Sequence, residues 1–149
     1  MMHFVPLEPE HMLFVMDVNE HVMSEQEGLD LLELGKKSKE AGPCLTLIDG
    51  EAIACGGIRI ICEGSGSIWL RVSKRAGPHV HKELKAQMHR WIEQHHLDRL
   101  QALAPGQWGQ DHKYLEWMGM KREGVMRKYG PHGQDQVLYA WVREDGPST

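Results

Sequence analysis

The sequence has few cysteines, no surplus of positive charge and no long apolar run, and each shortage excludes something. Lys and Arg number 17 against 21 Asp and Glu, a formal net charge of -4. The general attraction to phosphate backbones that nucleic-acid binding draws on is therefore missing. Cys44, Cys55 and Cys62 are odd in number and lack a C-x-x-C spacing. They predict neither a disulfide framework nor a zinc knuckle, and fit reduced thiols in a cytoplasm. No run approaches the ~20 apolar residues of a membrane span, and Met1-Met2-His3-Phe4-Val5-Pro6 has no basic region followed by an apolar one. No internal repeat or low-complexity block occurs. The expectation is a soluble, cytoplasmic product without nucleic-acid or membrane partners.

What is present is ordinary for a globular chain: 149 residues, 41% hydrophobic and 26% charged. At this size roughly 70% of the unfolded surface can be buried, enough for one core. One domain is expected over 1–143, with a flexible tail over 144–149 where polar residues, Gly and Pro give packing nothing to hold.

His3-Phe4-Val5-Pro6-Leu7 reads as a short strand, and Pro9 suits the first turn of a helix carrying Met12, Val15 and Met16. A second helix is predicted from about Glu25 to Ala41, with Leu29, Leu31, Leu32 and Leu34 at three-residue spacings and Gly42-Pro43 as the stop. Cys44 to Ile48 and Glu51 to Cys55 flank Asp49-Gly50, the signal of a tight hairpin. The second arm continues to Ile61, and Gly56-Gly57 predicts a bulge or a close backbone approach. Glu63 to Ser67 reads as a loop and Ile68 to Val72 as the fourth strand. Gly77-Pro78 opens a helix to about His96, with Val80, Leu84, Met88, Trp91, Ile92 and His95 as its apolar stripe. A strand over Arg99 to Leu103 follows, then a helix around Gln110 to Met118 capped by Gly119. Last comes a hairpin of Gly124 to Tyr129 with Gln136 to Val142.

From Ser67 to Val142 the order is strand, basic loop, amphipathic helix, short strand and a helix ending in Leu115-Glu116-Trp117-Met118-Gly119-Met120. A hairpin then opens with Lys121-Arg122-Glu123-Gly124-Val125-Met126-Arg127. This order resembles the second half of the GNAT family of N-acetyltransferases, and its close is similar to the family's E-K-L-G-F-x-x-E-G ending. The resemblance implies an α+β fold: a mixed, mostly antiparallel central sheet with helices on both faces and a splayed pair of central strands. It also implies acetyl-CoA as cofactor, its pantetheine arm pairing with the fourth strand and its pyrophosphate resting on the next helix start. Leu70, Arg71 and Val72 would supply that strand edge. Lys74, Arg75, Gly77 and His79 would supply the phosphate turn.

The chain departs from the pattern where the chemistry lies. The family's Gln/Arg-x-x-Gly-x-Gly/Ala turn is represented by Arg75-Ala76-Gly77-Pro78-His79-Val80, with a single glycine and a proline that deletes one donor. Arg71, Lys74, Arg75 and His79 would then compensate by direct charge. The family's acid Tyr, counted back from Met120, falls on Leu115; Tyr114 is the candidate, about 100° away around the helix. Trp108 or Gln107 stands where the family usually has Asn. Glu63 is the leading carboxylate for a base, with His79 or His112 behind it. Each of these residues also reads as an ordinary surface polar group. The basic pairs Lys121-Arg122 and Arg127-Lys128 read as solvated faces. His79-x-His81, His89 and His95-His96 lack the short fixed spacing of a metal site, so no metal is expected. The cysteines read as small apolar packing residues, and Trp69, Trp91, Trp117 and Trp141 as core or groove walls.

Tyr114-Leu115-Glu116-Trp117-Met118-Gly119 and the hairpin Tyr129-Gly130-Pro131-His132-Gly133-Gln134-Asp135-Gln136-Val137 also resemble segments of small GNAT-like proteins of short-tailed phages, including a virion-associated internal protein. Two readings follow from the resemblance. One is transfer of an acetyl group from acetyl-CoA to an amine, on a small molecule or a protein. The other is a non-catalytic phage protein of this fold acting by contact, in the virion or on a host protein.

Overall fold

The computed structural model describes residues 1–16 and 25–145. In chain order they form β1 (His3–Pro6), α1 (His11–Met16), α2 (Glu25–Ala41), β2 (Cys44–Asp49), β3 (Glu51–Cys62), β4 (Ser65–Val72), α3 (Pro78–Gln94), β5 (Arg99–Pro105), α4 (Gln110–Trp117), β6 (Lys121–Met126) and β7 (Gln136–Val142), with a 3-10 turn at Arg143–Asp145. The strands make one sheet in the order β1-β2-β3-β4-β5-β7-β6. It is mixed and mostly antiparallel, with β4 and β5 running parallel. No helix among the described residues is long and apolar enough to cross a membrane. The chain divides into two compact units, residues 1–60 with 68–86 and residues 61–67 with 87–149.

In the first unit the Asp-Gly signal forms as predicted: Asp49 pairs with Glu51 across Gly50, whose φ of 78° suits glycine. The β2–β3 register shifts between Leu47 and Ile48, opposite Ile53. That extra residue reverses the alternation of β3, so Ala52 and Cys55 face one apolar cluster while Ile53 and Ala54 face another. The first cluster gathers Leu7, Met12 and Val15, with Leu31, Ile48 and Trp69 against it. The second joins Leu47 to Val80 and Leu84 of α3, with Phe4 and Val72 alongside. Each fully buried aliphatic side chain stabilises by about 1.5–3 kcal/mol. Of the predicted α2 leucines, Leu31 packs but Leu29 and Leu34 are 54% and 39% exposed. The inward face is instead set by Gly35, where an added Cβ would lie 2.9 Å from the Pro9 Cα.

Gly56 and Gly57 pair regularly with Leu45 and Cys44, so the bulge lies elsewhere and the glycines serve the close approach. A Cβ on Gly56 would sit 2.7 Å from the Trp69 carbonyl oxygen of β4. One on Gly57 would sit 2.6 Å from the Pro43 carbonyl oxygen and 2.7 Å from the Cys44 Cβ.

In the second unit three strands differ from expectation. Ser65, Gly66 and Ser67 are strand, because Gly64 at φ 82° makes a two-residue turn and they pair with Arg99, Leu100 and Gln101. The Gly64 carbonyl accepts from the Asp98 and Arg99 amides at 2.8 and 3.0 Å. β5 runs on to Pro105, since β7 pairs along it from Arg99↔Val142 to Pro105↔Gln136. β6 begins three residues early, at Lys121 opposite Ala140, and stops at Met126. Its end is set by Lys128 at φ 55°, whose amide donates to Asp135 Oδ1 at 2.9 Å. Helix α3 ends at Gln94 because His96 turns left-handed at φ 50°, and the Leu97 amide returns to the Ile92 carbonyl at 2.9 Å. His95 is accordingly exposed, outside the buried row of Met88, Trp91 and Ile92.

Arg143 fastens the end of this unit. It donates to the Leu97 carbonyl at 2.6 Å, pairs with Glu93 and Asp98 at 3.3 Å, and lies 5.5 Å from the Trp141 ring centroid. Residues 144 and 145 of the expected tail belong to the 3-10 turn, and 146–149 lie outside the described residues.

Gly57→Ala is expected to cost about 2–3 kcal/mol in urea unfolding, the range for overpacking against backbone. Gly124→Ala, with nothing within 4 Å of its added Cβ, should change stability far less.

Candidate functional site

The first unit brings together the residues assigned to the strand edge and phosphate turn. Ser73, buried at the end of β4, organises the turn: its amide donates to the Ile53 carbonyl at 2.9 Å. Its own carbonyl and hydroxyl accept from the Ala76 and Arg75 amides at 3.0 and 3.2 Å. Gly77 then caps α3, its carbonyl accepting from Val80 at 3.0 Å and His81 at 3.4 Å. Pro78 has no N–H to give, and the His79 amide lies in the first turn, where helices leave donors without intrahelical partners.

The cations of this turn are not all directed outward. Arg75 Nη2 donates to Glu51 Oε1 at 2.8 Å. His79 Nε2 lies 3.0 Å from Asp49 Oδ2; since an ionised carboxylate only accepts, that nitrogen carries the proton. Both carboxylates belong to the β2–β3 turn. Arg71 Nη1 donates to the Leu70 carbonyl at 3.0 Å, along the edge assigned to the cofactor. Its guanidinium also acts on Cys55, whose thiol is pushed up to about 12, first by burial, with Arg71 opposing. Lys74 is exposed.

Glu63 forms the exposed turn before β4, while Leu70, Arg71 and Val72 end that strand. At about 3.3 Å per residue, roughly 20 Å of strand separates them. The structure does not bring Glu63 to the basic turn.

The second unit holds Tyr114 and a polar network that spacing did not reveal. Tyr114 is half-buried on α4, its ring centroid 5.7 Å from that of Trp117, and burial pushes its phenol up to about 12. The phenol therefore stays protonated throughout the neutral range, as a proton donor requires. Trp117, expected in a wall or core, is 42% exposed.

His112, a reserve candidate for the base, is only 1% exposed and fully engaged. Its Nε2 lies 2.6 Å from the Pro105 carbonyl oxygen, which only accepts, so Nε2 donates. Nδ1 then accepts from the Tyr139 hydroxyl at 2.9 Å. The Trp108 ring lies 5.2 Å from the imidazole, and Tyr139 meets it edge-on at 5.5 Å. Burial raises the Tyr139 phenol, and the Glu116 carboxylate raises it further. With both nitrogens occupied, His112 has no lone pair for a substrate proton and ties the start of α4 to β5 and β7. The sequence signal was there in part: a histidine two residues into a short helix.

Cys62, read as a packing residue, is exposed at the end of β3, while Cys55 is buried and Cys44 half-buried. Among the described residues no group of three His, Cys, Asp or Glu side chains is placed to hold a metal ion.

No protein-family model matches the sequence, and no curated protein matches it. Solved structures do resemble the fold. A GCN5-related N-acetyltransferase from Brucella melitensis superposes with a TM-score of 0.79 at 12% identity, over 99% of this chain and 78% of that one. An acetyltransferase of the GNAT family from Bacillus anthracis gives 0.73 at 17% identity, over 96% and 95%. A variant of the spermidine N-acetyltransferase of Vibrio cholerae gives 0.73 at 14% identity, over 95% of each chain.

His112→Ala should cost about 3 kcal/mol or more, because the Pro105 carbonyl and Tyr139 hydroxyl lose a buried partner. Tyr139→Phe should cost about 1–2 kcal/mol, and the double variant less than the sum in chemical denaturation. Alkaline stability provides a second check. The folded chain keeps the Tyr114 proton where the unfolded chain has lost it, so this contribution is whole below pH 10 and lost as pH rises towards 12. Tyr114→Phe should flatten the fall in stability over that window. At identities of 12–17% the likeness is one of architecture, and this chain has the fold of the GNAT acetyltransferases.

Proposed function

We propose that this protein is a GNAT-type N-acetyltransferase that takes acetyl-CoA on the first unit and passes its acetyl group to an amine, on a small molecule or a protein. The observation that carries the reading is the β4–β5 ladder, whose last recorded pair is Ser67↔Gln101 while β4 continues to Val72. The peptide groups of Leu70, Arg71 and Val72 then suit main-chain pairing with the amides of a pantetheine arm, as an added strand would pair. Lys74, Arg75, Gly77 and His79 at the start of α3 offer charge and a helix N-terminus to the pyrophosphate. The neighbour from Vibrio cholerae, a spermidine N-acetyltransferase, supports an amine as acceptor.

In the reaction the amine nitrogen attacks the thioester carbonyl, a C–N bond forms, and the C–S bond breaks. The nitrogen loses its proton to solvent water, and the departing thiolate gains one from a general acid. Tyr114, held protonated by burial, is assigned the second transfer. Glu63 is omitted from the first because it stands at the other end of β4.

One set of observations favours a second reading, a catalytically silent protein of this fold that contacts a virion or host protein. Leu115 occupies the family's acid position, and two side chains of the phosphate turn, Arg75 and His79, are held by Glu51 and Asp49.

Thermal unfolding with acetyl-CoA separates the two. Ligand at ~100 times Kd adds about 2.7 kcal/mol, roughly 5–10 °C in midpoint for a chain of this size. Arg75→Ala should abolish that shift, and absence of any shift at millimolar acetyl-CoA removes the enzyme reading. Thiol release over a panel of amines then reports turnover. It is measured in a Cys62→Ser background, because exposed Cys62 reacts with the same reagent. Tyr114→Phe should slow release by about 10²-fold; a shift without release leaves a binder.

A further inference from the structure

We infer that Asp49 and Glu51, on the turn between β2 and β3, form an electrostatic latch over the basic turn, which an incoming polyanion must displace. The inference rests on the acetyl-CoA reading of that turn and adds how access to it is controlled.

Two contacts join the same two turns, the second an ion pair only while the His79 imidazole is protonated. Glu51 holds Arg75 at 2.8 Å and Asp49 holds His79 at 3.0 Å. The carboxylates flank Gly50, a hairpin tip with nothing within 4 Å of where a Cβ would sit. Side-chain exposures are 33% and 59% for Arg75 and Glu51, and 59% and 34% for His79 and Asp49. Pairs this open contribute little to stability, and the hairpin is already held by its backbone ladder from Cys44↔Gly57 to Asp49↔Glu51. Their effect falls on the cations instead. While both contacts stand, Arg75 and His79, two of the four side chains that would compensate for the missing turn glycine and for Pro78, are engaged by carboxylates of the same unit.

A singly charged anion gains too little at either side chain to replace two carboxylates. A pyrophosphate brings several charges and competes for both at once. The acidic turn therefore tunes the site to polyphosphate ligands and lowers its affinity for them. Arg71 bonded to Leu70 and the neighbouring Lys74 complete the charged side chains of this segment.

The test compares the native chain with D49N/E51Q, using CoA and inorganic pyrophosphate as probes in calorimetric titrations at low salt. The double variant should bind pyrophosphate and CoA about three- to tenfold more tightly, two exposed pairs' worth. E33Q/E40Q, the same loss of two charges at exposed positions of α2, should leave affinity within about twofold. In the native chain, saturating pyrophosphate should speed hydrogen exchange at the Gly50 and Glu51 amides as the latch opens. Equal CoA affinity in native and double variant overturns the latch and leaves the acetyl-CoA reading intact. Tighter pyrophosphate binding without CoA binding in either protein supports the latch and removes that reading. If neither protein binds either probe, both fall.

Discussion

A close approach of two strands, permitted by the absence of side chains at Gly56 and Gly57, underlies the first unit. Without it the Trp69 carbonyl and the Leu70 side chain could not lie against β3, and the end of β4 would be displaced. The bulge opposite Leu47 acts in the same place by a different route. By turning Ile53 and Ala54 to one side and Ala52 and Cys55 to the other, it lets β3 feed two apolar clusters from consecutive residues. The Ile53 carbonyl at that bulge also receives the Ser73 amide, so the irregularity anchors the turn that carries Arg75 and His79. Packing, bulge and candidate anion site form one chain of causes.

Electrostatics then set what the turn can do. Lys74, Arg75 and His79 look in sequence like a cationic run before a helix, and the helix start adds partial positive charge. In the folded unit the hairpin tip returns two carboxylates, one to Arg75 and one to His79. In the second unit the buried polar groups are arranged differently. His112 bridges the Pro105 carbonyl and the Tyr139 hydroxyl inside the protein, which fixes its tautomer and removes it from solvent chemistry. A histidine that reads as a possible base is thus a structural bolt, and the Tyr114 phenol, two residues along, remains the candidate acid on α4.

Local rules placed most elements because the physics behind them is local. Asp49-Gly50, Gly77-Pro78 and Gly119 act within a few residues, and the turn and caps they signal form where expected. The row Val80, Leu84, Met88, Trp91 and Ile92 is buried because a helical repeat shows one face whatever it packs on. Local rules missed wherever a distant partner decided. Ser65 to Ser67 carry loop-forming residues, yet β5 pairs with them; Gly124 to Tyr129 read as a strand, yet β7 takes Lys121 to Met126. Leu29 and Leu34 fit an apolar stripe, yet α1 meets α2 at Gly35.

Sequence alone therefore determined the order of strands and helices, the turn chemistry, and the α+β class with its likeness to the acetyltransferase fold, since these depend on backbone preference and repeat length. Tertiary structure alone decided strand limits, the reversal of facing at Ile53, the burial of His112, the distance of Glu63 from the basic turn, and the pairing of Arg75 and His79 with Glu51 and Asp49. Those facts depend on which residues, 24 positions apart for Arg75 with Glu51, 30 for His79 with Asp49 and 27 for His112 with Tyr139, the fold sets side by side. Periodicity along a chain has no term for such a meeting. Charge and hydrogen bonding act through space, and their outcome is settled only when the sheet has chosen its neighbours.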